Sequence, residues 1–268
     1  MTKWFKWAGG LVLFLVSFTT HKSRSEEDCG IPNVAFNAGE KVTFNVYYNT
    51  AGAYLHAGTA TFTNTLETLN SKPVFHIVGE GKTNSTYDLF FKVKDRYETY
   101  IDTATMQPLK FIRNISEGGF KKYQHVTFNK TANTAVSNEG VYNVPACIQD
   151  VVSAVFYARN IDFSQLNPDD KISFSMFLDN EIFNMYIRYL GKETITTKFG
   201  RFRAIKFKPL LLKGTIFEGG EKMTVWVSDD ANHIPVRIES PIIVGKVKID
   251  MMSYENIRYP LTSLLNRR

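Results

Sequence analysis

The sequence predicts an all-β protein, an antiparallel meander forming a barrel or strongly curved sheet, with one short inserted helix. Three observations carry this expectation. From Ala38 onward, apolar residues recur at every second position, not at helical spacing. Aromatic residues make up 14% of the 268 residues, mostly Tyr and Phe, whose flat rings suit a pleated surface. Short clusters of Gly, Asn and Asp separate the alternating runs.

Taken in order, the first run sets Val42, Phe44, Val46 and Tyr48 on one face and Thr43, Asn45 and Tyr47 on the other. Later runs repeat the pattern. Ile172, Phe174, Met176 and Leu178 oppose Ser173, Ser175 and Phe177, and Phe183, Met185, Ile187 and Tyr189 oppose Asn184, Tyr186 and Arg188. Val225 and Val227 oppose Trp226, Val236 and Ile238 oppose Arg237, and Val247, Ile249 and Met251 oppose Lys248 and Asp250. Such runs are strands with one buried and one wet face. Reversals are expected at Asn49 to Gly52, Glu117-Gly118-Gly119, Phe199-Gly200-Arg201, Glu218-Gly219-Gly220 and Asp229 to Asn232. Asp150 to Arg159 breaks the rhythm with Val151, Val152, Val155 and Phe156 on one helical stripe and Asp150 as N-cap. This helix divides two strand-rich halves, Glu40 to Val136 and Lys171 to Met251. Short links pair sequential strands, and a sheet this long must curl, close or split. The tail from Tyr254 to Arg268 has little periodicity and docks or frays.

The N-terminus reads as a targeting segment. Lys3 and Lys6 precede an apolar run from Ala8 to Thr20, shorter than a spanning helix requires. Residues 1–25 are therefore expected to be a signal peptide, or an uncleaved anchor, ahead of a single β-rich domain over 26–268. Contact with a membrane is expected only through this segment. It carries Lys3, Lys6, Lys22 and Arg24 and no acid, so without it the net charge falls from +6 to +2. The remaining Lys and Arg are scattered, which argues against nucleic acid as a partner. In an oxidising compartment, Cys29 and Cys147 are a candidate disulfide; two buried thiols are the alternative.

Several stretches together resemble a family of exported bacterial proteins, domain of unknown function 3108, whose structures look like the YmcC-like β-barrel. They are Ala38-Gly39-Glu40 with the strand to Tyr48, Ala57-Gly58, Asp95-Arg96-Tyr97 with Tyr100-Ile101-Asp102 and Pro108, and Asp150, Ser153, Tyr157 and Arg159. Phe199-Gly200-Arg201-Phe202, Val225 to Asp230, Ile234-Pro235-Val236 and Val244-Gly245 complete the set. The resemblance implies a fold and an envelope location, periplasmic or outer-envelope associated, and no reaction.

Catalytic patterns are weak. Asp229 and Asp230 are adjacent and would point to opposite faces of a strand, and their residue types suit a turn. Ser153 lacks the glycines of a nucleophile elbow and is placed to cap a helix with Asp150. The five histidines never fall at ligand spacing and no Gly-rich phosphate loop occurs, so neither a metal nor a cofactor is expected. Arg96, Tyr157, Arg159 and Trp226 stand as structural or binding candidates. Arg159 suits a helix C-terminus and is also expected to pair with a carboxylate such as Asp95 or Asp102. Trp226 reads as a core-covering aromatic or as an exposed stacking platform. The function these features imply is a non-catalytic exported module that holds an apolar or glycan ligand or docks on an envelope protein. A hydrolase of envelope polymers, with carboxylates from distant strands, is the alternative.

Overall fold

A computed structural model describes residues 29–50, 52–88, 91–213, 219–243 and 245–267. The targeting segment expected over 1–25 lies outside the described residues. The first half runs β1 (Lys41–Thr50), β2 (Ala53–Leu69), β3 (Lys72–Thr83), one helical turn α1 (Ser85–Asp88), β4 (Lys94–Asp102), β5 (Pro108–Glu117) and β6 (Phe120–Asn129). Two short strands follow, β7 (Thr134–Ser137) and β8 (Val141–Asn143), then helix α2 (Val151–Ala158). The second half holds β9 (Lys171–Leu178), β10 (Glu181–Thr196), β11 (Gly200–Pro209), β12 (Thr224–Ser228), β13 (Pro235–Pro241), β14 (Lys246–Glu255) and β15 (Leu264–Arg267).

All these strands join one sheet, in the order β8-β7-β6-β5-β4-β3-β2-β1-β14-β13-β12-β11-β10-β9, with β15 added on β11. Every named ladder is antiparallel. Thus β1 lies mid-sheet, and the two meanders unroll from it in opposite directions. The sheet is strongly curved and not closed. Hairpins are tight where two consecutive residues adopt positive φ, at Asn70-Ser71 and Asp179-Asn180. That backbone matches the twist of the flanking strands, and Asn and Asp tolerate it best after glycine. The turns expected at Glu117-Gly118-Gly119 and Asp229 to Asn232 are present, the second held by Asp230, whose carboxylate accepts from Asn232 N and Ser263 N.

The alternation expected for β1 holds at its start: Val42 and Phe44 are buried and join Phe202, Ala204, Ile234, Val236 and Met251 in one core. Further along it needs correcting, because Tyr47, assigned to the wet face, is buried while Val46 and Tyr48 are half-buried. The Lys198 and Lys248 side chains cover the Tyr47 ring, their ammonium groups 4.4 and 5.7 Å from its centroid. A second core, between the helix and β3 to β6, gathers Phe36, Ile77, Ile101, Phe111, Val126, Val152, Phe156 and Phe177. In β9 the expectation needs correcting. Phe177, on the face assigned to solvent, is wholly buried, while Ile172 and Phe174 are only half-buried. The reason is the roll of the sheet. Edge strand β9 lies against the inner face of the opposite end, where the Phe177 ring meets those of Phe128 and Tyr142 at 6.2 and 5.6 Å. The main chain of Gln149 then bonds along β9, accepting from Phe177 N at 2.8 Å and donating to Ser175 O at 2.9 Å. This satisfies an edge that would otherwise be open to pairing with another chain.

Helix α2 forms where expected, with Val152 and Phe156 buried, but Val155 of the expected apolar stripe faces outward and is exposed. The Asp150 carboxylate accepts from the main-chain N–H groups of Val152 and Ser153, both at 2.8 Å, and the Ser153 hydroxyl accepts from Asp150 N at 2.8 Å. This reciprocal cap satisfies donors that a helix start leaves free. It also accounts for Ser153 and Asp150 as structural residues. Cys29 and Cys147 are joined, with Cα atoms 5.1 Å apart, and tie the N-terminal segment to the approach of α2. That segment is further clamped by Asn160, whose side-chain oxygen accepts from Val34 N and Ala35 N. The C-terminal tail docks through β15.

Candidate functional site

The concave face is not filled along its whole length. Near α2 it presents Phe44, Phe62 and Phe156, with ring centroids 6.2 to 6.4 Å apart. Toward the opposite end, the same inward positions of β2 and β3 carry Gly58, Ala60 and Gly81. A Cβ added at Gly81 would meet nothing within 4 Å. The result is a cavity of about 1060 Å³, walled by Val46 and Tyr48 of β1, Leu55 and Ala60 of β2, Val247 and Ile249 of β14, and Tyr87, Phe91 and Ile242 from the connecting loops. It lies just above the roughly 300–1,000 Å³ usual for small-molecule sites. Lys82 and His56 also border it, but both are exposed and alternate with inward-facing neighbours. No carboxylate is among the described lining residues. Gly58 has a separate structural reason: a Cβ there would stand 2.2 Å from the Lys82 carbonyl, so the close approach of β2 and β3 requires glycine.

Beyond the cavity, the inner face of β4 to β6 carries polar groups in register. Asp95 pairs across from Gly81, Tyr97 from Arg113, and Arg113 from Gln124. Asp95 accepts from Ser116 N at 3.0 Å. Burial pushes its carboxyl up to about 7 against the pull of that bond, helped by the neighbouring Glu117, with which it shares a hydrogen bond. Burial also raises the Tyr97 hydroxyl. Arg113 is buried and donates to Asp179 at the β9–β10 turn, which Lys122 also contacts. Deeper still, Asp150 is fully enclosed. Burial raises its carboxyl to about 6 despite bonds from Thr99, Ser153 and Val152.

The structure disperses the residues singled out in the sequence. Arg96 lies on the outer face, paired with Glu98 and Glu80 at 2.7 Å each. Trp226 is half-buried on that same face, its indole N–H donating to Glu193 at 2.5 Å and the Lys206 ammonium 5.5 Å from its ring. Tyr157 is half-buried on α2. None of the three lines the cavity. Arg159 does form a buried ion pair, but not with Asp95 or Asp102. Its guanidinium grips Glu40 by two bonds, Nη1 to Oε1 at 2.5 Å and Nη2 to Oε2 at 2.9 Å, while Nε donates to Asn232 O at 3.1 Å. Asp95 and Asp102 are strands away on β4, whereas Glu40 immediately precedes β1, beside the C-terminus of α2. Sequence reasoning missed the cavity too. Its signal is there in retrospect, as small residues at alternate positions of two consecutive strands, Gly58 and Ala60, then Gly79 and Gly81.

The family pattern described as "Protein of unknown function (DUF3108)" matches residues 43–252, from within β1 into β14. The chain belongs to this family. Members of the family are thus expected to share the curved meander and its central helix. Among solved structures, a β-barrel-like protein of domain of unknown function DUF1849 from Brucella abortus is similar, with a TM-score of 0.55 at 7% identity. The match covers 84% of this chain and 100% of that one, and shows the fold. A putative exported protein with a YmcC-like fold from Bacteroides fragilis matches at TM-score 0.34 and 12% identity, over 82% of this chain and 97% of that one. A putative lipoprotein from Parabacteroides distasonis matches at TM-score 0.35 and 14% identity, over 84% and 99%. No curated protein matches the sequence.

Proposed function

We propose that this member of the family is a non-catalytic, exported envelope module that holds an apolar ligand of the acyl-chain kind in the cavity at the open end of the sheet. The observation that carries the reading is the cavity itself, about 1060 Å³ walled by aliphatic and aromatic side chains and by glycines. An apolar guest gains roughly 0.8 kcal/mol per methylene buried there, and the wall offers no buried charge that such a guest would leave unpaired. A glycan would need many more inward hydrogen-bonding groups than Thr83 and Tyr48 supply. An exported location agrees with the disulfide and with the apolar N-terminal run.

Hydrolysis of an envelope polymer is less well supported. The inner-face carboxyls Asp95 and Glu117 hydrogen-bond each other, whereas glycosidic hydrolysis needs two carboxyls about 5–9.5 Å apart with the substrate or a water between them. The test is binding of a fluorescent apolar probe, N-phenyl-1-naphthylamine, to the wild type and to Gly81→Phe. A Cβ at position 81 meets nothing within 4 Å, so a Phe ring there is expected to project into the cavity and fill it without displacing backbone; an unchanged circular dichroism spectrum checks that the variant is folded. Probe fluorescence that rises with the wild type and not with the variant supports the reading. Equal enhancement with both, or none with the wild type, overturns it.

A further inference from the structure

The β1–β2, β3–β4, β5–β6 and β13–β14 connections all lie at the end of the sheet where the cavity opens, and residues on or beside the first, second and fourth of them line it. Each exposes a large apolar residue. Ile243 is 56% exposed, Leu55 48%, Phe120 46% and Phe91 44%. Isolated exposed apolar side chains are ordinary, but four at or beside separate connections of one end form a ring, of which Leu55, Phe91 and Ile243 line the cavity itself. Phe91 is seated by contact with the β5–β6 turn, where any Cβ at Gly118 would strike its ring. Lysines surround the ring. Lys82 is the last residue but one of β3, Lys94 opens β4, Lys121 is the second residue of β6 and Lys246 opens β14; all are exposed, and none has an acidic partner among the described residues. Lys82 and Lys94 stand directly opposite each other in the ladder, an unfavourable pairing without an external anion. The acids nearby are engaged: Asp88 with Thr83 and Lys92, and Glu117 buried against Asp95.

We propose that this end docks onto an anionic lipid surface, with Leu55, Phe91, Phe120 and Ile243 entering the headgroup layer and Lys82, Lys94, Lys121 and Lys246 meeting lipid phosphates. A folded protein partner would need a shape complementary to four separated tips. A fluid bilayer conforms to them, and apolar side chains flanked by lysines are the composition that suits its interface. The proposal extends the cavity reading on which it rests: a mouth held against lipid lets an apolar ligand pass from membrane to cavity without crossing water. It also adds a membrane contact away from the N-terminal segment.

The experiment is flotation of residues 26–268, which contain every element, the cores and the disulfide, with two kinds of vesicle. One is phosphatidylcholine alone; the other has one part phosphatidylglycerol to two of phosphatidylcholine. The protein is expected to float with the anionic vesicles and to be released by molar salt, which shortens the screening length. Lys82→Ala with Lys246→Ala should lower partitioning about fivefold per lysine, and Leu55→Ser with Ile243→Ser should abolish it. All four sites are exposed, so the folded state survives, and the two pairs check each other. Failure to float with anionic vesicles, equal binding to neutral ones, or rim variants that float like the parent would overturn the proposal. Gly81→Phe separates the two readings. It should float normally while losing probe binding, so a parent that floats but takes up no probe sinks only the cavity reading, and one that takes up probe but never floats sinks only this one.

Discussion

Replacing Arg159 by Lys keeps the positive charge and removes the fork. The Arg159 and Glu40 side chains are 4% and 3% exposed, and the guanidinium also stacks between the rings of Phe36 and Phe156, with its carbon 5.3 and 5.2 Å from their centroids. An ammonium cannot make both bonds to Glu40 and reach Asn232 O as well. At least one buried acceptor then loses its donor, at about 1.5–3 kcal/mol for a bond to a charged group, and the planar stacking is lost with it. About 3 kcal/mol of destabilisation is expected, or roughly 6–12 °C in Tm for a chain of this size. Arg159→Met should cost more, about 3–5 kcal/mol, because it leaves the Glu40 carboxylate buried without a counter-charge. Adding Glu40→Leu to Arg159→Met should then recover most of the loss, since a well-packed apolar pair can replace a buried ion pair. Urea denaturation near neutral pH, read as midpoint at constant m, measures all three. Arg159→Lys within about 0.5 kcal/mol of wild type, or a double variant no more stable than the sum of its singles, would refute the assignment.

Two further expectations concern stability. Reducing Cys29–Cys147, which spans 118 residues of sequence, should destabilise the fold by about 5 kcal/mol in the chain-entropy model; urea midpoints with and without reductant report it, and coincident curves would show that the bridge adds nothing. Asp95 titrates from 3.8 when unfolded to about 7 when folded, so between those values the folded protein holds a proton the unfolded chain has lost. Its contribution therefore weakens stability as pH rises from about 4 to about 7. Asp150 acts in the same direction up to about 6. Asp95→Asn should flatten only the first of these slopes in denaturation midpoints taken across that range; a variant with the wild-type pH profile would remove Asp95 as the cause.

Much of the site's framework was legible in the sequence, and the site was not. Val42 and Phe44 announce their inward face through local alternation, and Asp150 announces the helix start through its own chemistry, because strand faces and caps are decided within a few residues of chain. Phe177 defeats the same rule. Its neighbours Ser173 and Ser175 mark a wet face, and the face is dry at one end only because the far edge of the sheet rolls over it. Glu40 and Arg159 are likewise ordinary residues in sequence, 119 positions apart, whose pairing depends on where β1 passes the end of α2.

The sequence by itself determined the strands, their turns, the capped helix and the family, since period-two alternation and turn chemistry act locally. Only the tertiary structure decided which carboxylate meets Arg159, that Gly58, Ala60 and Gly81 leave a void, and that four connections bearing exposed apolar residues share the end where it opens. Those facts depend on the curvature of a sheet that brings strands from both halves around one axis, and curvature is a property of the summed twist of many strands, written at no single position of the chain.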